Sequence, residues 1–147
     1  MSGVKQLSDY VDTKVAVGPN VTSGAITGTM IDATGFRRAH FVFSFGTPEA
    51  GASVLSGAGI WEASTSGATF ALLAGAQFTS SITTSQGSNG CAVIDTVVTA
   101  ASPWLLVSGY SMVNSNWLNS VTVQLYNFNT ATPGTVVGAT PTRIITL

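Results

Sequence analysis

The stretch "GFRRAHFVFSFG" at residues 35–46 gathers two of the chain's five basic residues, its only histidine and four of its seven phenylalanines. Two chemistries compete for it. A nucleic-acid face would interleave exposed aromatics with Arg and Lys, so that rings stack on bases beside phosphate contacts. Here Arg37 and Arg38 precede the aromatic run, and Phe41, Phe43 and Phe45 alternate with His40, Val42 and Ser44, which is the period of a half-buried strand. The basic and aromatic sets are displaced from each other, so the stretch reads as a core strand with arginines at its entrance. Set against a plain solvated entrance, an adjacent Arg pair is also a candidate contact to acidic side chains of a partner, because the planar guanidinium takes carboxylates in a bidentate way.

Catalytic chemistry can be checked by inventory. A Ser/His/Asp arrangement would have to use His40 as base with Asp32 or Asp95 orienting it, and no "GxSxG" elbow is present. Asp32, Glu49, Glu62 and Asp95 supply carboxylates for glycosidase-type work in number only. "SGAGIW" lacks the third glycine and following helix of a dinucleotide loop. Cys91 is the single cysteine, which leaves no internal disulfide framework and, with one histidine, no zinc constellation. The sequence predicts no enzyme, no catalytic residue, no cofactor and no metal site.

Composition narrows the partners. Charged residues make up 7% of the 147-residue chain, against about 25% in ordinary soluble domains. Ser, Thr, Gly and Ala stand where Lys and Glu usually would, and the formal net charge is -1. Freely diffusing proteins keep mixed surface charge for colloidal stability, so this composition points to a protein docked on something. Five basic residues scattered along a chain of pI near 5.5 do not make a phosphate-binding footprint, and no nucleic-acid partner is expected. "MSGVKQLSDY" carries no apolar signal core, and no apolar run approaches the ~20 residues that span a bilayer. Neither secretion nor a membrane partner is expected.

The elements that position these residues are strands. Beside the phenylalanine strand, "SVTVQLYNF" (120–128), "PWLLVSGYSMV" (103–113), "GCAVIDTVVT" (90–99), "AITGTMID" (25–32) and "GIWEAS" (59–64) are rich in β-branched and aromatic residues. Shorter candidates fall at 13–17, 69–74, 77–84, 135–138 and 142–147. "GPN", "DATG", "TSGAT", "QGSNG" and "TATPGT" supply turn chemistry between them. Such short strands in one domain predict an all-β fold, an antiparallel, jelly-roll-like β-sandwich over 13–147, preceded by a short N-terminal arm at 1–12. Trp61 and Trp104 are expected to cap the core. Trp117, within the polar "NSNWLNS", is expected in a loop that packs on a neighbouring subunit, since large aromatics are enriched at interfaces. An alternative use of Trp117 and its asparagines is stacking on sugar rings.

The order of segments in the first half resembles a group of small tailed-phage head proteins. The resemblance rests on Gly28, Ile31, Asp32, Gly35 and Phe36, a turn leading into an aliphatic strand, and on Glu62, Ala63, Ser64, Gly67, Thr69 and Phe70, a hairpin. It implies a capsid decoration, or cement, protein made in the host cytoplasm and carried on the virion exterior. Its partner would be the major capsid protein, and it would sit there as a homo-oligomer, a dimer or a trimer. Candidate capsid or subunit contacts are Lys5 and Tyr10 on the arm, Arg37, Arg38 and Trp117. The alternative is a carbohydrate- or receptor-binding module of a head fibre or tail. An arm that serves assembly leaves the fold alone. Deleting residues 2–10 should therefore leave the far-UV circular dichroism and the thermal melt near wild type while weakening binding to phage heads.

Overall fold

The computed structural model describes residues 11–49, 53–54, 57–83, 90–127 and 143–146. Among them the chain forms eleven strands and no helix, all paired antiparallel, in two sheets that pack as a sandwich. The larger, seven-stranded sheet contains β1 (Val11–Ile26), β3 (Arg38–Pro48), β4 (Ser53–Val54), β7 (Ile82–Thr83), β8 (Gly90–Val97), β10 (Tyr110–Tyr126) and β11 (Arg143–Thr146). The four-stranded sheet runs in the order β2 (Ile31–Asp32), β9 (Trp104–Ser108), β5 (Gly59–Ala63) and β6 (Ala71–Gln77).

The axis of the large sheet is β10. One of its edges is paired with β1 at 110–112 and across 117–126. The other takes β3 along Trp117–Tyr126 and β4 at Met112 and Val113. Beyond β3 the sheet continues through β8 to β11.

Alternation along β3 sends Phe41, Phe43 and Phe45 into the core and leaves His40, Val42 and Ser44 half-buried on the outer face. Val121, Val123 and Leu125 of β10 and Ala92 and Ile94 of β8 point the same way, toward Ile60, Leu105 and Val107 of the smaller sheet. Phe43 is the aromatic centre. Its ring meets Phe78 edge-on at 5.0 Å and Tyr110 at 5.4 Å, the geometry that ring quadrupoles favour.

Two of the passages between the sheets depend on glycine. Gly109 alone separates β9 from β10. Its φ is 66°, and a Cβ there would lie 2.5 Å from the Gly57 carbonyl oxygen, so a side chain is excluded by backbone conformation and by space. At Gly28 the backbone NH donates to the Val107 carbonyl at 2.9 Å, and the next NH, of Thr29, donates to Ala16 at 2.7 Å. This stitch binds β1 to β9 and interrupts the strand expected over 25–32: residues 25–26 close β1, 31–32 form β2, and 27–30 lie between.

Other boundaries also moved. Val11 and Asp12, assigned to the arm, already pair with Tyr126 and Leu125 as the start of β1. "GPN" is no reversal but an irregularity within β1, where the register slips between Val17 and Asn20. "NSNWLNS" is no loop but the middle of β10. "DATG" is the expected turn, with Asp32 Oδ1 accepting from the backbone NH and the hydroxyl of Thr34 and Gly35 at φ 85°. "TSGAT" links β5 to β6 as expected, whereas "TATPGT", the candidate strand at 135–138 and nearly all of "QGSNG" lie outside the described residues. Replacing Phe43 with Ala should cost about 3–5 kcal/mol, while Arg37→Ala on the exposed entrance should change stability by less than about 0.5 kcal/mol; paired denaturant melts check the difference.

Candidate docking surface

Paired residues of an antiparallel sheet share a face, so the register maps the outer side of the large sheet. At one end Arg38 lies beside Tyr126 and Val97, and His40 beside Gln124 and Asp95. At the other, Ser44 lies beside Ser120 and Cys91, and Leu118 beside Val21. The first end holds the clustered charge; at the second, the exposed Glu49 carboxylate accepts from the Asn116 backbone NH at 3.1 Å.

At the charged end Asp95 is the hub. Arg38 Nη2 donates to its Oδ1 at 3.2 Å, the Tyr126 hydroxyl donates to the same carboxylate at 3.1–3.2 Å, and Arg38 Nε donates to the Tyr126 oxygen at 3.1 Å. His40 Nδ1 is 3.7 Å from Oδ2. These side chains come from β3, β8 and β10, so the cluster clamps the three central strands. Burial alone would raise the Asp95 pKa, but hydrogen bonding from His40 and the charge and hydrogen bonds of Arg38 outweigh it, and the group ends below its ordinary 3.8. Burial likewise opposes the Arg38 charge, and the Tyr126 and Asp95 contacts leave its pKa raised. Burial raises Tyr126, which keeps the phenol a donor.

The arrangement revises the expected Arg pair. Arg38 is directed to Asp95, with 12% of its side chain exposed, so its guanidinium is engaged within this chain. Arg37 is exposed, and its backbone joins Tyr126 and Val98 at the sheet's end. Of the two aspartates considered for His40, Asp95 is adjacent while Asp32 sits on the other sheet, capped by Thr34.

Among the described residues, three exposed apolar groups stand on this sheet: Val15, 54% exposed, beside Thr122 in mid-sheet, and Val21, 63%, and Leu118, 45%, toward the end away from Asp95. Beside Leu118 opens a groove of about 230 Å³ lined by Pro19, Ser44, Phe45, Gly46, Leu118, Asn119 and Ser120. Its floor is already satisfied. Asn119 is buried, donates to the Trp117 carbonyl at 2.9 Å and shares reciprocal amide hydrogen bonds with Asn20 at 3.1 and 3.4 Å.

Trp117 is a second correction. It is fully buried, tilted against Phe45 at 4.9 Å, with its indole NH donated to the Gly46 carbonyl at 2.8 Å. On a strand, the residue between exposed Leu118 and half-buried Asn116 must point inward, so Trp117 is core and neither a subunit contact nor a sugar platform. Trp61 and Trp104 are half-buried on the outer side of the small sheet. Lys5 and Tyr10 lie outside the described residues. Sequence reasoning considered Asp95 only as a partner of His40 or as one of several carboxylates, and did not single out Tyr126, Val21 or Leu118; the available signal was the parity of positions 118–126, which sets Leu118 and Tyr126 on the face opposite Val121 and Val123.

No family model, curated protein or solved structure matches the chain.

Because the folded pKa of Asp95 is depressed, the folded state binds fewer protons there than the unfolded chain, so its contribution is complete well above the unfolded value of 3.8 and is lost as pH falls through the folded pKa. Asp95→Asn should therefore cost about 1–3 kcal/mol near neutral pH, and the gap to wild type should narrow below about pH 4, as read by urea melts across that range.

Proposed function

We propose that this chain is a structural protein of a tailed-phage head, a decoration or cement protein that binds the outside of the shell as a homo-oligomer and reinforces contacts between major capsid protein subunits. The observation that carries the reading is the state of its charge. Eleven charged residues serve the whole chain, and two of the described pairs, Asp12 with Lys14 and Arg38 with Asp95, are turned on each other. Such an exterior suits a protein whose solubility is supplied by the particle it covers. The outer faces of a two-sheet sandwich offer area for burial between neighbouring subunits. Of the residues that carry the resemblance, Gly28 makes the inter-sheet stitch, Asp32 and Gly35 the turn, and Glu62 to Phe70 the end of β5 and its link to β6. The carbohydrate alternative lost its principal residue when Trp117 proved to be core.

An interface of standard size, roughly 1,200–2,000 Å² in total, would here rest on apolar burial and neutral hydrogen bonds, because exposed ion pairs give only about 0–1 kcal/mol each. Salt shortens the screening length from about 10 Å at 0.1 M to about 3 Å at 1 M and leaves apolar contacts intact. Purified protein should thus co-sediment with undecorated expanded heads across about 0.05–1 M NaCl, a range set by that screening. Release by moderate salt would contradict the neutral interface, and no binding at any salt would end the capsid reading.

A further inference from the structure

We infer that Glu62 is the anchor by which the protein takes one basic side chain, Lys or Arg, from the shell subunit, at the end of the smaller sheet where β5 passes into its link to β6. The inference rests on the head-protein reading and adds to it a contact residue and the chemistry of the group that meets it.

Glu62 is the exception in the chain's charge. Among the described residues, Asp12 pairs with Lys14 at 3.4 Å, Asp32 accepts from Thr34, Glu49 accepts from the Asn116 NH at 3.1 Å, and Asp95 is held by Arg38 and Tyr126. Glu62 has no such bond: its Oε2 is buried and meets no donor among the described residues. Register explains the position. Across the smaller sheet Glu62 lies in one row with Ile31 and Leu105, both buried, and with Ala71 of β6, which is exposed. The carboxylate therefore sits half-buried on the core-facing side, and its row opens toward β6 and the exposed residues 64–67. A carboxylate that gives up water without gaining a donor costs stability, and a position that breaks the pairing rule with no gain to the fold marks function. Charge then selects the occupant. Lys and Arg bring both the donors and the countercharge, and a partly desolvated carboxylate binds them more strongly than an exposed one. The other buried groups without a partner do not answer it: the Trp61 indole NH lies on the outer face of the same strand, beside Leu106, and the Tyr110 hydroxyl is in the core, 1% exposed. A single half-buried pair is screened less than exposed charges, so it is compatible with binding that survives salt.

The experiment compares wild type with Glu62→Gln and Glu62→Lys, with Asp12→Asn as a control that removes the same charge from a carboxylate already paired with Lys14. Circular dichroism and urea melts read folding, and co-sedimentation with undecorated expanded heads reads affinity. Glu62→Gln should keep or slightly raise the urea midpoint, because it removes a charge that no described residue answers, and should lose at least about tenfold in head affinity. Glu62→Lys, which brings like charges together, should lose more, while Asp12→Asn binds as wild type does; the near-isosteric Gln variant carries the test if Glu62→Lys fails to fold. Should wild type bind heads and Glu62→Gln bind equally well, the anchor assignment is wrong while the head reading stands. A lowered midpoint for Glu62→Gln would show that the charge serves the fold, and an equal loss of affinity in Asp12→Asn would make the effect one of net charge; either overturns the inference. So would conversion of an oligomer to monomers by Glu62→Gln with head affinity per chain unchanged, which would place the basic side chain on a second copy. A wild type that never sediments with heads defeats the underlying reading instead.

Discussion

A strand as long as β10 stays extended only if both edges are paired and every inward position is apolar or satisfied. β10 runs for seventeen residues, and the rest of the large sheet is arranged around it. β1 pairs with one edge at 110–112 and across 117–126, and β3 and β4 divide the other. The demanding point is Asn119, a polar residue on the buried face. Asn20 answers it with its own amide, and the irregularity at Gly18 and Pro19 lets Asn20 do so while its side chain also donates to the Gly18 carbonyl at 2.8 Å. Without that match the buried amide would cost about 1–3 kcal/mol, and the strand would have reason to break where the sequence looks most like a loop.

The same sheet separates its polar and apolar work along the strand direction. Arg38, Asp95 and Tyr126 spend their charge and hydrogen bonds on joining β3, β8 and β10, which leaves electrostatics as an internal fastening. Val21 and Leu118 lie several residues away toward the other end.

The parts of the fold that were legible in the sequence are those set by neighbouring residues. Phe41, Phe43 and Phe45 declare their face by parity, and Asp32, Thr34 and Gly35 close a turn through contacts within three positions. Illegible features depend on partners far along the chain. Asn20 and Asn119 are 99 positions apart, so neither reveals that the other satisfies it, and their local composition reads as loop. Arg38 and Asp95 are 57 apart; without the register, Arg38 looks like a free cation beside Arg37. Trp117 was misplaced for the same reason. A tryptophan among Asn and Ser reads as exposed until the Gly46 carbonyl that takes its NH and the Phe45 ring that packs on it are brought alongside.

The pairing of Val11 with Tyr126 also has a meaning in time. As the chain is synthesised, β1 emerges early, yet the edge that completes it is made about 115 residues later, roughly 6–23 s at about 5–20 residues per second. During that interval a strand with no charge after Asp12 and Lys14 waits without its native neighbour, the kind of segment that finds copies of itself on adjacent chains. Gly18, Pro19 and Gly24, which break the regularity of β1 in the folded sheet, also interrupt it as a template in the nascent chain. The irregular strand thus protects the protein before there is a sheet for it to join.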